Sequence, residues 1–227
     1  MIGRDGTPGS AERAGCRRGC SSGRYSPLAF RAASGCDTLH DPILVSPRQS
    51  IVMNRILEIP PEKLSAEQSK VFEQLTAGRG RILGPYKIWI HSPTVASGME
   101  RIGTFLNKFS SLSKREVEIG ILVIAQHWQG DYVRQAHIRE GKAAGLSQQT
   151  IDAILAGADP KFVDAHEHAV HRFAAALVSG AKLPDAEFAE IERALGREGI
   201  AEVLVLLGYY TSVALAMKVH EVPIPQQ

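Results

Sequence analysis

The pattern of hydrophobic and polar residues divides the chain near Met53. From Asn54 onward, apolar residues recur at the three-to-four-residue spacing of amphipathic helices, and no alternating strand pattern of useful length competes with it. In residues 1–52 no such period persists, so this segment cannot bury enough apolar surface to offset the entropy of ordering. The pattern predicts an all-α domain of about eight helices over residues 53–227, preceded by a disordered extension over residues 1–52.

Local signals mark where the predicted helices begin and end. Ser65-Ala-Glu-Gln68 and Ser113-Lys-Arg-Glu116 have the spacing of capping boxes, and Ser92-Pro93 places a proline at a first helical position. The helix after Ser113 is apolar nearly all round, so we expect it to be the central buried helix. The predicted helices cover about residues 65–77, 93–109, 113–129, 131–144, 147–155, 161–178, 185–195 and 198–219.

The N-terminal extension also differs from the helical domain in composition. It has seven arginines against four acidic residues, no lysine, and no apolar stretch as long as that of a secretory signal. We favour a disordered extension, with Met53 as an alternative start; a mitochondrial transit peptide is the alternative interpretation. The three cysteines of the chain, Cys16, Cys20 and Cys36, all lie in this segment. The chemistry of the helical domain therefore cannot depend on a thiol.

Charge and hydropathy argue against two classes of partner. The net charge is +2 without a long Lys/Arg block, which disfavours nucleic-acid binding. The longest near-apolar stretch, 203–217, is interrupted by Gly208, Thr211 and Ser212 and is shorter than the roughly 20 residues that span a bilayer. We therefore expect a cytoplasmic protein that binds neither nucleic acid nor a membrane.

Two polar residues lie where the pattern predicts burial. Glu118 is one turn into the most apolar helix, where a carboxylate is costly to desolvate unless it is paired. His137 lies in the middle of the next helix, and a tight turn at Gly130 folds the two helices against each other. Their axial offset is about 7 Å, which long side chains and a crossing angle can close. The alternatives are a Glu118 that points outward from the first turn and a purely structural His137.

Longer motifs in this region resemble a known family. The segment SKREVEIGILVIAQHWQGDYVRQAHIREGKAAGLS, residues 113–147, closely resembles the carboxymuconolactone decarboxylase family, as do Gly84-Pro85, His91-Ser-Pro93 and Gly208-Tyr-Tyr-Thr-Ser-Val-Ala. The resemblance covers about Ile56 to Pro225. It implies the all-helical fold of the alkylhydroperoxidase D-like superfamily and assembly as a homo-oligomer, either a trimer or a hexamer.

The resemblance also separates two chemistries. The peroxidase branch carries a Glu, then a Cys-x-x-Cys, then a His. Here Glu118 and His137 match the Glu and the His, whereas Gly130 and Val133 stand at the cysteine positions. Peroxide reduction by that route requires a thiolate. The resemblance therefore implies a decarboxylase-type lyase that acts, without a cofactor, on a small carboxylated lactone or a related acid.

Decarboxylation of such a substrate leaves a carbanion that must be protonated. We expect His137 to donate or relay this proton, because histidine changes its charge near neutral pH, and Glu118 to orient the imidazole. Arg134 is predicted to hold the substrate carboxylate. The remaining predicted pocket residues are Trp128, Tyr132, Tyr86 and His91.

Three other functions stay open at this point. They are an alkylhydroperoxidase-like antioxidant protein, another proton-transfer reaction such as isomerisation or hydrolysis, and a non-catalytic helical assembly protein. The run His166-Glu-His168-Ala-Val-His171 contains metal-binding residue types, but three-ligand sites usually draw a further residue from a distant part of the chain. We interpret this run as the start of a solvent-facing helix and predict no metal site.

Overall fold

The computed structural model describes residues 55–79, 82 and 84–224. Within these residues the regular structure is entirely helical, with eight α-helices and no strand, which confirms the predicted fold class. The extension predicted over residues 1–52 lies outside the described residues and stays a prediction.

The helices follow one another through short connections. A short 3-10 turn, Pro61–Lys63, precedes the first of them. The α-helices are α1 Ala66–Arg79, α2 Gly84–Trp89, α3 Pro93–Lys108, α4 Lys114–Trp128, α5 Asp131–Ala143, α6 Gln148–Leu155, α7 Ala165–Ser179 and α8 Asp185–Val219.

The capping boxes predicted from the sequence are formed. Ser113 Oγ accepts a hydrogen bond from the Glu116 backbone N–H at 3.2 Å, and the Glu116 carboxylate accepts one from the Ser113 N–H at 2.6 Å. Ser65 and Gln68 exchange the same pair of bonds at the start of α1. These bonds satisfy backbone donors that a helix start leaves without partners, which explains why both helices begin where they do.

One predicted helix start was wrong. The sequence pattern placed the start of α7 at Lys161, but α7 begins at Ala165 because Asp164 caps it. The Asp164 carboxylate accepts hydrogen bonds from the backbone N–H groups of Glu167 and His166, and these bonds, the one from Glu167 above all, lower its pKa. Lys161 has a φ of +57°, which is incompatible with a right-handed helix.

Helix α4 is the centre of the core, as predicted. Its side chains from Val117 to Ala125 are buried, and the helix packs against α5, α6, α7 and α8. Gly120 allows α8 to come close, since a Cβ there would lie 2.7 Å from Leu206 Cδ2. A helix surrounded in this way fixes the position of any polar side chain that it carries.

Helix α8 bends at Gly196, which has φ +65° and separates the two helices predicted over 185–195 and 198–219. By length and composition alone, α8 is the one described helix that could cross a membrane. Half of its most apolar window is buried inside the domain, and the core helix of a soluble protein passes the same test.

Candidate active site

Glu118 and His137 form a hydrogen-bonded pair between α4 and α5. The chain turns sharply between these helices, where Gln129 adopts a left-handed conformation and the Gly130 N–H donates to Ala125 O at 3.1 Å. This turn brings His137 Nδ1 to 2.8 Å from Glu118 Oε2. The two side chains are only 16% and 10% exposed. In the described part of the chain, the second ring nitrogen, Nε2, makes no hydrogen bond.

His137 lines a cavity of about 740 Å³, a volume in the range of small-molecule sites. Glu118 lies behind the imidazole and does not line the cavity itself. The walls come from α2, α5 and α8, from Asn107 on α3, and from residues near both ends of the described chain. The apolar part of the lining includes Ile56, Ile82, Val133, Val213 and Val222.

Tyrosine side chains border the cavity beside His137. The Tyr210 ring meets the imidazole edge to face, with 5.1 Å between ring centroids. The hydroxyls of Tyr86 and Tyr209 lie 3.0 Å apart. Gly103 on α3 makes room for both, because a Cβ there would lie 2.6 Å from the Tyr209 hydroxyl oxygen and 3.1 Å from that of Tyr86. The shape of this wall therefore depends on a glycine outside the cavity.

Two cationic residues line the cavity, and neither was predicted from the sequence. Lys87 on α2 forms an ion pair with Glu58, with 2.5 Å between Nζ and Oε1. Arg139 on α5 makes no ion pair with any described residue and is exposed. Nothing in their spacing separates them from ordinary surface cations, so only the packing of α2 and α5 reveals their position.

The outer wall of the cavity joins the two ends of the domain. The Arg55 backbone N–H donates to His220 O at 3.0 Å, and the Arg55 guanidinium pairs with Glu221, with 2.5 Å between Nη2 and Oε1. Ile56 and Val222, beside these residues, line the cavity. The ion pair therefore holds part of the cavity wall in place.

The structure brings some of the predicted pocket residues to the cavity and leaves others away from it. Tyr86 and Tyr132 line it with His137. Trp128 packs against the core elsewhere, with its ring perpendicular to that of His127. His91 is exposed, and its Nε2 lies 2.8 Å from Leu57 O.

Arg134 also lies away from the cavity. It pairs with Asp131, one turn earlier on α5, and borders a separate polar groove with Gln126 and Gln129. At 100° per residue, Arg134 projects about 60° from His137 on the side opposite the cavity-lining residues Ala136 and Glu140. The structure therefore does not place the predicted carboxylate ligand beside the imidazole.

The positions that match the cysteines of the peroxidase branch are close together in space. Gly130 caps α5, and Val133 is buried one turn later. A Cβ at Gly130 would lie 3.9 Å from Val133 Cβ, which is a typical separation for a disulfide. The backbone thus keeps the geometry of a cysteine pair at two positions where this chain has no sulfur.

The histidine-rich run at the start of α7 spreads over different surroundings. Glu167 is buried and accepts hydrogen bonds from Arg115, with 2.5 Å from Nε to Oε1 and 3.1 Å from Nη2 to Oε2. His168 and His171 border a groove of their own on the surface of the domain. Among the described residues, no group of three or more His, Cys, Asp or Glu side chains is arranged to hold a metal ion.

Residues 93–176 match the model of the carboxymuconolactone decarboxylase family. This segment runs from α3 into α7 and contains both Glu118 and His137. The match covers 84 of the 227 residues, and over this segment the chain is similar to the carboxymuconolactone decarboxylase family.

Solved structures share this fold at low sequence identity. A peroxidase-related protein from Silicibacter sp. TM1040 is 17% identical over 74% of this chain and 90% of its own, with a TM-score of 0.59. The alkylhydroperoxidase AhpD core from Ralstonia eutropha JMP134, an uncharacterized peroxidase-related protein, is 13% identical over 76% and 92%, with a TM-score of 0.60.

A third similar structure is that of an enzyme with a named activity. It is the debrominase Bmp8, solved as a variant in complex with 2,3,4-tribromopyrrole, and is 13% identical over 75% of this chain and 91% of its own, with a TM-score of 0.59. At these identities the likeness shows the fold alone. No curated protein matches the chain in sequence.

Proposed function

We propose that the helical domain is a thiol-independent lyase that decarboxylates a small carboxylated lactone or a related acid. The observation that carries this proposal is the 2.8 Å contact between His137 Nδ1 and Glu118 Oε2 at the wall of a cavity of about 740 Å³. A buried carboxylate fixes the orientation of an imidazole and stabilises its protonated form, which leaves Nε2 to exchange a proton with a ligand.

The proposed reaction needs one proton donor and no redox partner. The carbon–carbon bond to the substrate carboxylate breaks, carbon dioxide leaves, and the electron pair delocalises toward the lactone carbonyl. The imidazolium N–H at Nε2 of His137 then gives its proton to the carbon, and solvent reprotonates the ring. Glu118 keeps the Nδ1 proton in place throughout, so it is a positioning residue.

Besides the carboxylates of Glu58 and Glu140, the cavity lining carries two cationic side chains that can bind an anionic ligand. Lys87 and Arg139 are cations in its lining, and Arg139 has no carboxylate partner among the described residues. An arginine in this situation can bind a carboxylate through two parallel hydrogen bonds. We therefore transfer the role predicted for Arg134, holding the substrate carboxylate, to Arg139.

The decisive experiment compares His137→Gln with the unchanged protein on a panel of small carboxylated lactones, with carbon dioxide release as the readout. We expect turnover to fall by at least about 100-fold, because the proton donor is lost, while the helical circular-dichroism spectrum is retained. His127→Gln, at an exposed position near the end of α4, is the matched control and should keep full activity. Undiminished turnover by His137→Gln would remove His137 from the mechanism.

The antioxidant function remains the alternative, because two of the similar structures are described as peroxidase-related. It requires a thiolate, and the chain has no cysteine after Cys36. We expect the purified protein to leave hydroperoxides unreduced in the presence of a thiol reductant. Sustained hydroperoxide consumption would favour the alternative over the lyase, and inactivity in both assays would favour the assembly protein.

A further inference from the structure

A short segment before α1, residues 55–58, crosses the outer wall of the cavity and is here called the strap. Ile56 and Glu58 line the cavity, whereas Leu57 between them is 78% exposed. Side chains that alternate in this way are typical of an extended chain. The strap therefore brings the Glu58 carboxylate into the lining of the ligand space.

The strap is held in place by contacts that do not involve the Glu58 side chain. At its start, the Arg55 backbone N–H donates a hydrogen bond to His220 O at 3.0 Å. Near its end, the Leu57 carbonyl oxygen lies 2.8 Å from Nε2 of His91, just after α2. Because both contacts are made by the backbone of the strap, the Glu58 side chain can rotate while the strap stays where it is.

The Glu58 carboxylate pairs with Lys87, the cation that α2 contributes to the cavity. Glu58 Oε1 lies 2.5 Å from Lys87 Nζ, and the two side chains are 59% and 36% exposed. An ion pair at this exposure contributes little free energy, because water competes for both charges and two long side chains lose conformational freedom. The carboxylate of a ligand can therefore replace that of Glu58 on Lys87 at small cost.

We propose that Lys87 is a carboxylate-binding residue of the cavity and that Glu58 is a built-in competitor, which the carboxylate of a ligand replaces. The proposal rests on the proposed function, because it takes the ligand to be carboxylated. It adds Lys87 to the contact assigned to Arg139, since an ionised carboxylate accepts hydrogen bonds at both oxygens. The exchange also selects among ligands, because a neutral ligand cannot displace Glu58 and leaves Lys87 paired.

A purely structural role, in which the ion pair only fastens the strap to α2, is the competing interpretation. The strap already has backbone contacts at Arg55 and Leu57, and the weak pair of Glu58 and Lys87 adds little to them. Both members of this pair also line the cavity. A pair that faces the ligand space is better placed for exchange with a ligand than for fastening alone.

Binding of two lactones to the full chain tests the exchange without relying on turnover. Paraconate is a saturated γ-butyrolactone with its carboxylate on the carbon β to the carbonyl, so the carbonyl cannot delocalise the carbanion that decarboxylation would leave. γ-Butyrolactone is the same ring without a charge. In calorimetric titrations, we expect Glu58→Gln to lower the dissociation constant for paraconate about threefold to fivefold, and Lys87→Met to raise it at least about threefold. Neither change should alter the dissociation constant for γ-butyrolactone.

Matched controls change the same charges outside the cavity. Glu62→Gln and Lys63→Met, in the exposed 3-10 turn that follows the strap, should leave both dissociation constants unchanged. The combined variant Glu58→Gln/Lys87→Met separates exchange from simple repulsion, because without Lys87 the gain from Glu58→Gln should disappear. A gain that persists in the combined variant, unchanged paraconate binding by Lys87→Met, or no paraconate binding by either the unchanged protein or Glu58→Gln would each overturn the exchange.

Hydrogen exchange of the Arg55 amide shows whether the strap stays in place. This N–H donates to His220 O, so it should remain protected in Glu58→Gln and in the unchanged protein with paraconate bound. Loss of protection on binding would mean that the strap opens as a whole, which contradicts an exchange of side chains. Failure of the proposed function would look different: carboxylated lactones would bind as described but release no carbon dioxide.

Discussion

Two helices of this domain carry histidines of interest, and their surroundings differ. On α5, His137 stands alone in the sequence, but α4 supplies a buried carboxylate 2.8 Å away and a cavity lies beside the ring. On α7, three histidines crowd into six residues, yet His168 and His171 make no ion pair in the described part of the chain. Burial lowers the pKa of His171 below its ordinary value of 6.5, the Asp159 carboxylate opposes the shift, and His168 adds to it.

The comparison shows that local density of histidine is a poor guide to chemistry in a helical protein. Residues on one helix diverge around its axis, so neighbours in sequence rarely converge on one ligand. Convergence comes from two helices that face each other, as α4 and α5 do. The buried acid at Glu118 is therefore more informative than the cluster on α7.

The largest effect on activity is expected for Glu118→Gln. This change removes the charge of the buried carboxylate that distinguishes His137 from the histidines on α7. The amide can still accept the Nδ1 hydrogen bond but no longer stabilises a charged imidazole, so we expect kcat to fall about 100-fold with little change in KM. The control is Glu116→Gln, a second buried acid on α4, where glutamine can take over the cap and activity should persist. Equal kcat values for Glu118→Gln and the unchanged protein would show that the buried carboxylate has no part in turnover.

A smaller effect, on stability alone, is expected for Arg115→Ala. This change leaves the buried Glu167 carboxylate without its guanidinium partner. The Arg115 side chain is 39% exposed, so we expect a loss of about 2 kcal/mol rather than the full cost of breaking a buried pair. Urea unfolding measures it, with turnover per folded molecule retained. The exposed pair of Lys161 and Asp159 provides the control, since Lys161→Ala should not change the urea midpoint. An unchanged urea midpoint for Arg115→Ala would mean that water solvates the Glu167 carboxylate as well as the Arg115 guanidinium does.

The smallest effect is expected at His171 and depends on pH. Because its pKa is lower in the folded state than in the unfolded chain, its contribution to stability is complete above the ordinary value of 6.5 and is lost as the pH falls toward the folded value. The urea midpoint of His171→Asn should therefore decrease less between about pH 7.5 and about pH 5 than that of the unchanged protein. His127→Asn is the surface control. A steeper decrease for His171→Asn would show that the sign of this linkage is wrong.

The sequence predicted most of the fold because helix starts and stops are local events. Ser65 and Ser113 begin helices through bonds to residues three positions away, and Gly196 bends α8 with a φ that other residues rarely adopt. The start of α7 was missed because the N-cap, Asp164, stands three residues after the lysine chosen as the first residue.

The candidate site was less predictable because it depends on how helices face each other. The offset between Glu118 and His137 allowed contact but did not require it. The side of α5 that forms the cavity is set by α2 and α8, so spacing alone could not separate Arg139 from Arg134. For the same reason, the contribution of Ile56 and Val222, from opposite ends of the domain, left no signal in the sequence.

Gly103 influences the shape of the cavity although it does not line the cavity itself. Because Gly103 has no side chain, the hydroxyl groups of Tyr209 and Tyr86 fit into the space beside its Cα. Any larger residue there would press the aromatic wall inward and narrow the cavity without altering a group that performs chemistry. A single substitution at position 103 in a related protein would therefore change which ligands fit the cavity, while Glu118 and His137 stay unchanged.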